Sequence, residues 1–167
     1  MKRWQASAVR ADGFTLIELV VTIAILGLLA TVAVPFTQLV QQRHKEAELR
    51  DGLRQIRTAI DAYKQAVTEG RLDKDTLAPQ GYPPDLDVLW KGVTDKTQIV
   101  AAKDKIYFLR RLPRDPFFPD EQAEPADTWG KRSYASPPDD PQEGDDVYDV
   151  YSLSEKTGLN GVPYREW

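Results

Sequence analysis

Gly13-Phe14-Thr15-Leu16-Ile17-Glu18 decides the reading of this chain, together with the apolar run that follows it. Before the glycine stand Lys2, Arg3 and Arg10 against Asp12, a net positive leader. After it, residues 14–34 are apolar except for Thr15, Glu18, Thr22 and Thr31. A helix of about 20 such residues, rising about 1.5 Å each, spans the roughly 30 Å core of a bilayer. A cleaved secretory signal would show small residues and a polar start after its apolar region. Here the apolar stretch passes into a second helical pattern instead. The basic leader predicts a cytoplasmic N-terminus and a bulk that crosses to the other side.

Pro35 closes the apolar run. Inside a helix it removes one hydrogen bond and predicts a kink; the alternative is a helix break at the membrane exit. Beyond it Leu49, Leu53, Ile56, Ile60, Tyr63 and Val67 follow each other at spacings of 4, 3, 4, 3 and 4. That is one apolar stripe on a helix. Glu48, Arg50, Arg54, Arg57, Asp61 and Lys64 fall between and read as its solvated face. Gly70 is the expected stop. A helix continuous from residue 14 to 69 would be about 84 Å long. Glu18 is the one carboxylate in the membrane-length half. A charge there is costly and marks a partner, unless it sits at the helix end close enough to water to stay wet. Ala24, Gly27, Ala30 and Ala33 allow close helix approach, or are ordinary membrane-helix composition.

The remaining chain predicts a small α+β domain over residues 70–167. Tyr82-Pro83-Pro84 fixes an extended entry, and Asp85 is placed to cap a short helix through Asp87-Val88-Leu89-Trp90. Ile106-Tyr107-Phe108-Leu109 is a strand or a helix end. Residues 115–146 are rich in Pro, Asp and Glu and predict a long loop with a short strand at 132–135. Val147-Tyr148-Asp149-Val150-Tyr151-Ser152-Leu153 alternates and is the strongest strand signal.

The 167 residues carry a net charge of −4, which argues against a nucleic-acid partner held by phosphate neutralisation. With no cysteine, disulfides, thiolate catalysis and Cys-based zinc sites are excluded. His44, the one histidine, lies in the polar run Gln41-Gln42-Arg43-His44-Lys45 with no nucleophile motif beside it. Asp139-Asp140 and Asp145-Asp146 read as a solvated acidic loop. Arg110, Arg111 and Arg114 read as strand-flanking charges that pair with Asp115 or with a neighbouring subunit. Trp90, Trp129 and Trp167 read as core or loop anchors. No phosphate-binding glycine loop is present, and no enzymatic constellation emerges.

The basic leader, Gly13, Phe14, Glu18, the apolar run and Pro35 together resemble the signal of the type IV pilin superfamily. The resemblance implies that a prepilin peptidase removes residues 1–13 by cutting between Gly13 and Phe14, then methylates the Phe14 amine. It also implies that Glu18 pairs with that amine on a neighbouring subunit, and that residues 14–35 serve first as a transmembrane helix and then as a fibre core. Residues 36–69 would form the amphipathic half of the helix, packed on a small C-terminal antiparallel sheet with long loops. Tyr82-Pro83-Pro84, the run from Leu109 to Pro116 with its Leu112-Pro113-Arg114-Asp115-Pro116 turn, and Asp149-Val150-Tyr151-Ser152-Leu153 are similar to segments of the major (G-type) pseudopilins of type II secretion.

That narrower resemblance implies a structural subunit of a short periplasmic fibre that drives protein secretion. Its partners would be the prepilin peptidase, other pseudopilins, further copies of itself in a helical homopolymer, and a secretion ATPase acting through an inner-membrane platform protein. The subunit would sit in the inner membrane as a single-pass protein, with its C-terminal domain in the periplasm. The alternatives are a minor type IV pilus or competence pilin and a membrane-anchored periplasmic binding domain. G-type pseudopilins carry calcium in their final loop, and here the chain departs from them. Lys156 and Pro163 stand where the acidic ligands would be, leaving Glu155 and Asn160 as weak candidates. A lysine offers no oxygen and repels a hard cation, so no cofactor is expected and calcium is disfavoured, although backbone carbonyls could also serve it. The alternative is a Leu159-Asn160-Gly161 turn that holds the loop by hydrogen bonds alone.

Overall fold

The computed structural model describes residues 13–72, 78–96 and 105–167, without the side chains of residues 32–35. The leader through Asp12, and the side chains of Ala33 and Pro35, lie outside the described residues. The chain divides into two units, Met1–Gln41 and Gln42–Trp167.

Helix α1 covers Leu16–Thr68, and its helical assignment passes through Pro35 without a break. Its start carries a capping arrangement. Thr15 precedes the first helical residue, and its hydroxyl accepts the Glu18 backbone N–H at 3.3 Å. Thr15-x-x-Glu18 has the spacing of a capping box, and a first-turn carboxylate also complements the positive end of the helix dipole. Within the apolar run, the Thr22 hydroxyl donates to the Leu19 carbonyl at 2.8 Å and that of Thr31 to Leu28 at 2.7 Å. Both hydroxyls are thus satisfied by their own helix, as an apolar medium requires.

In the second unit the stripe expected from the 3.6-residue period faces inward. Leu49, Leu53, Ile56, Ile60 and Tyr63 are buried, with Ala59 and Ala66 beside them, and Val67 is half-buried at the edge. They pack with Leu86, Leu89, Leu112, Trp129, Val147, Val150 and Tyr164 into one core. α1 ends two residues before Gly70, whose φ of +72° suits glycine, and the Gly70 and Arg71 N–H groups close the last turn on Val67 and Ala66. Gly52 lets the indole of Trp129 approach the helix: a Cβ there would stand 3.2 Å from the ring. Trp129 in turn donates its Nε1–H to the Pro113 carbonyl at 2.9 Å.

Beyond α1, helix α2 covers Asp87–Lys91. The Asp85 carboxylate accepts the Val88 N–H at 3.0 Å, the capping role expected of it. The expected small antiparallel sheet consists, among the described residues, of two strand pairs. β1 (Val93–Thr94) pairs with β2 (Lys105–Ile106), and β3 (Trp129–Arg132) pairs with β4 (Asp149–Ser152). In the second pair Trp129 opposes Ser152 and Arg132 opposes Asp149. β4 lies inside the predicted strand, with Val150 and Ser152 inward. β3 corrects the expectation of a strand at 132–135. Trp129 and Gly130 bury its start, while a turn begins at Ser133, whose N–H binds the Gln142 carbonyl. Gly130 is required because a Cβ there would fall 2.4 Å from the Tyr151 ring.

Ile56 is fully buried at the centre of this packing. Ile56→Ala should cost about 2–5 kcal/mol in denaturant unfolding of the full chain, by lost transfer energy and a residual cavity. A loss under about 1 kcal/mol would mean that the stripe is not the core.

Candidate functional site

Two places carry the functional residues. The first is the apolar half of α1. Phe14 is 84% exposed, Leu16 81% and Ile17 71%, and the large side chains from Leu19 to Leu29 are about half exposed or more. Among the described residues, one helix is long and apolar enough to cross a membrane, and none of its apolar window is buried. So much apolar surface has no place in water and calls for lipid or neighbouring helices. Glu18 is exposed on this helix, and among the described residues no basic group lies within ion-pair distance of it. A Cβ on Gly27 would meet nothing within 4 Å, so that face is open to close approach.

The second place is the junction of α1 with the C-terminal loop, where sequence reading had expected only a solvated helix face. Glu46 is 4% exposed, one turn before Leu49 on the buried side. One of its carboxylate oxygens accepts the Leu159 backbone N–H at 2.8 Å, the Tyr164 hydroxyl at 3.0 Å and the Gln42 amide at 3.2 Å. Three donors on one buried carboxylate oxygen offset its desolvation. Arg57 donates to Asp149 at 2.8 Å and to the main-chain oxygens of Val150 and Trp167 at 3.1 and 2.7 Å. The Arg50 guanidinium lies 4.5 Å from the Trp167 ring centroid. The expected solvated face therefore includes two arginines that tie the last residues of the chain to α1.

A third polar node joins the proline turn to β4. Asp115 is 2% exposed and accepts the Ser152 hydroxyl at 2.5 Å and the Phe117 N–H at 2.7 Å. Its own N–H donates to the Thr128 hydroxyl at 3.1 Å. This placement corrects the expected pairing with the arginines. Arg114 instead donates to the carbonyls of Asp120 and Ala123. Of the tryptophans expected as core or loop anchors, Trp129 is in the core, while Trp90 is 39% exposed with its Nε1–H held by Asp87. The expected solvated acidic loop changes at one position. Asp146 is buried and accepts the Tyr134 N–H at 2.9 Å, while Asp139, Asp140 and Asp145 are exposed. His44 is exposed, and among the described residues no three His, Asp or Glu side chains gather at metal-binding spacing.

Burial pushes the Asp115 carboxyl above its ordinary value of 3.8, against the opposing pull of the Ser152 and Phe117 hydrogen bonds. A raised folded-state value means that the folded protein holds this proton more tightly than the unfolded chain. The resulting contribution is full below pH 3.8 and is lost as pH rises through the raised value. Asp115→Asn removes the titration. Its melting temperature relative to the parent should rise as pH increases through that window, and a difference constant with pH would refute the assignment.

Comparison with known proteins adds the following. Residues 10–34 match the family model described as the prokaryotic N-terminal methylation motif. Type II secretion system core protein G of Pectobacterium carotovorum subsp. carotovorum is 32% identical over 120 residues, which are 70% of this chain and 68% of that protein. Its namesake in Pseudomonas aeruginosa is 31% identical over 106 residues, 64% of this chain and 68% of its own length. Fimbrial protein Q of Moraxella bovis is 32% identical over 90 residues, 54% of this chain and 55% of its own, so the match spans about half of that relative. No solved structure gives a significant match.

Proposed function

This chain belongs to the type II secretion core protein G family, pseudopilins of the type IV pilin superfamily, and on that premise we propose that it works as a structural subunit of a short periplasmic fibre. The observation that carries the proposal is the exposed apolar surface that starts at Phe14, within the methylation motif of residues 10–34. In a single subunit that surface is stable only in lipid; in a fibre, neighbouring helices cover it.

The proposed sequence of events starts at the membrane. The prepilin peptidase cuts between Gly13 and Phe14 and methylates the new amine. Phe14 then carries a positive charge four residues from Glu18. In low-dielectric surroundings, two opposite charges on adjacent subunits lower each other's desolvation cost. Pairing Glu18 with the next subunit's amine fixes the axial register. Such a contact does not close on itself, so it propagates into a helical filament. Pro35 has no N–H to give the Thr31 carbonyl, which makes this part of α1 the easiest to bend as the subunit leaves the bilayer. The N-terminus faces the cytoplasm and the second unit faces the periplasm. An ATPase acting through an inner-membrane platform protein supplies the work of extraction, and other pseudopilins complete the fibre. The subunit itself is a substrate of the peptidase and catalyses nothing. A second reading, a minor pilin of a surface pilus, draws on the likeness to fimbrial protein Q.

Mass spectrometry of the protein from peptidase-containing cells should show N-methylated Phe14 as the first residue. An intact Met1 would sink the processing step. Glu18→Ala should leave cleavage intact while fibre yield falls steeply. Removing one partner of a buried ion pair costs about 3–5 kcal/mol, on the order of a hundredfold or more in subunit addition. Normal fibre yield from Glu18→Ala would remove the register role. Deleting the gene should abolish secretion of exoproteins and spare surface pili; the opposite pattern favours the second reading.

A further inference from the structure

Calcium, which the family resemblance places in the final loop, meets a poor donor set here, with Lys156 and Pro163 in place of carboxylates. Four oxygens of the loop each accept an internal N–H group. The Lys156 carbonyl accepts Tyr164 N–H at 3.0 Å, the Gly158 carbonyl accepts Gly161 N–H at 2.9 Å, and the Val162 carbonyl accepts Gly158 N–H at 2.9 Å. The Asn160 side-chain oxygen accepts Val162 N–H at 3.1 Å. Glu155 is exposed, and among the described residues no three His, Asp or Glu side chains gather around it at metal-binding spacing. The loop is also too tight at Gly158 for a larger residue, since a Cβ there would lie 2.5 Å from the Trp167 ring.

We infer that Glu46 closes this loop in place of a cation, as a metal-independent clasp between α1 and residues 156–164. The two devices have opposite polarity. A cation gathers carbonyl and carboxylate oxygens inward. Glu46 presents a buried anion and gathers donors instead: the Leu159 N–H, the Tyr164 hydroxyl and the Gln42 amide. Arg50 lies 3.7 Å from the other carboxylate oxygen and covers it from the solvent side. The isolated bridge between Thr157 and Pro163 draws the two arms of the loop together. Tyr164 is 1% exposed and stacks on Phe117 at 4.1 Å, so the clasp also fixes a core residue. The clasp belongs to the second unit alone and holds whether or not the assembly role is correct.

The test uses the full-length protein in detergent micelles. A chelator and then millimolar calcium should each leave the melting temperature unchanged. Glu46→Ala should lower it by roughly 5 °C or more, because the buried Tyr164 hydroxyl and the Leu159 N–H lose their acceptor. The same variant should open the Lys156–Thr157 peptide bond to trypsin. Glu46→Gln keeps an oxygen acceptor and should fall between parent and alanine variant on both readouts, which covers the case of an unfolded Glu46→Ala. A melting temperature that drops with chelator or climbs with calcium would overturn the inference. So would parental stability and trypsin resistance in both Glu46 variants.

Discussion

The inward stripe of α1 is the contact on which the second unit depends. Leu49, Leu53, Ile56, Ile60 and Tyr63 present a surface that neither β pair could replace. Each β pair has only two strands, and a two-stranded ladder is marginal in water without a partner surface. Trp129, Val150 and Tyr164 acquire their burial from the helix, and the helix has its stripe covered in return. This mutual dependence explains why the polar ties cluster at the same seam. Glu46, Arg50 and Arg57 all lie on α1 and all reach residues beyond position 148. The final residues therefore fold as part of the helix packing and not as a free tail.

The two halves of α1 obey different rules. From Phe14 to Leu29 its large apolar side chains are exposed, which fits lipid or other helices and not water. From Glu46 onward one side is buried and the other is charged. One chain thus carries both a surface that needs company and a domain that is complete in itself. That division is what a subunit must have if it is to be stored in a membrane and later built into a polymer.

Much of this was legible in the residues. The stripe was readable because helix periodicity places every fourth or third residue on one side, and the stop because Gly70 can take a positive φ. β4 showed through its alternation, and the α2 cap through Asp85. The polar ties were not legible. Arg50 and Arg57 look the same in sequence as Arg54, which pairs within its own helix with Asp51. What separates them is contact with residues about a hundred positions away, which local pattern does not encode. Glu46 had one available signal, its place one turn before Leu49 on the buried side, and it was not singled out from the sequence. β3 was misplaced because Gly130 weakens the strand signal beside Trp129, and the strand is held by packing of Trp129 on Gly52 and of Gly130 against Tyr151. The Thr15-x-x-Glu18 cap was present in the sequence and was masked by the more conspicuous reading of Glu18 as a buried charge.

The central claim is that Glu18 and the Phe14 amine of an adjacent subunit set the register of a fibre. A cryo-electron microscopy reconstruction of the assembled fibre tests it most directly. The account predicts the Glu18 carboxylate within about 4 Å of the methylated amine of a neighbouring subunit, along a core of packed apolar helices. A fibre in which Glu18 faces solvent, or contacts only its own chain, would contradict it.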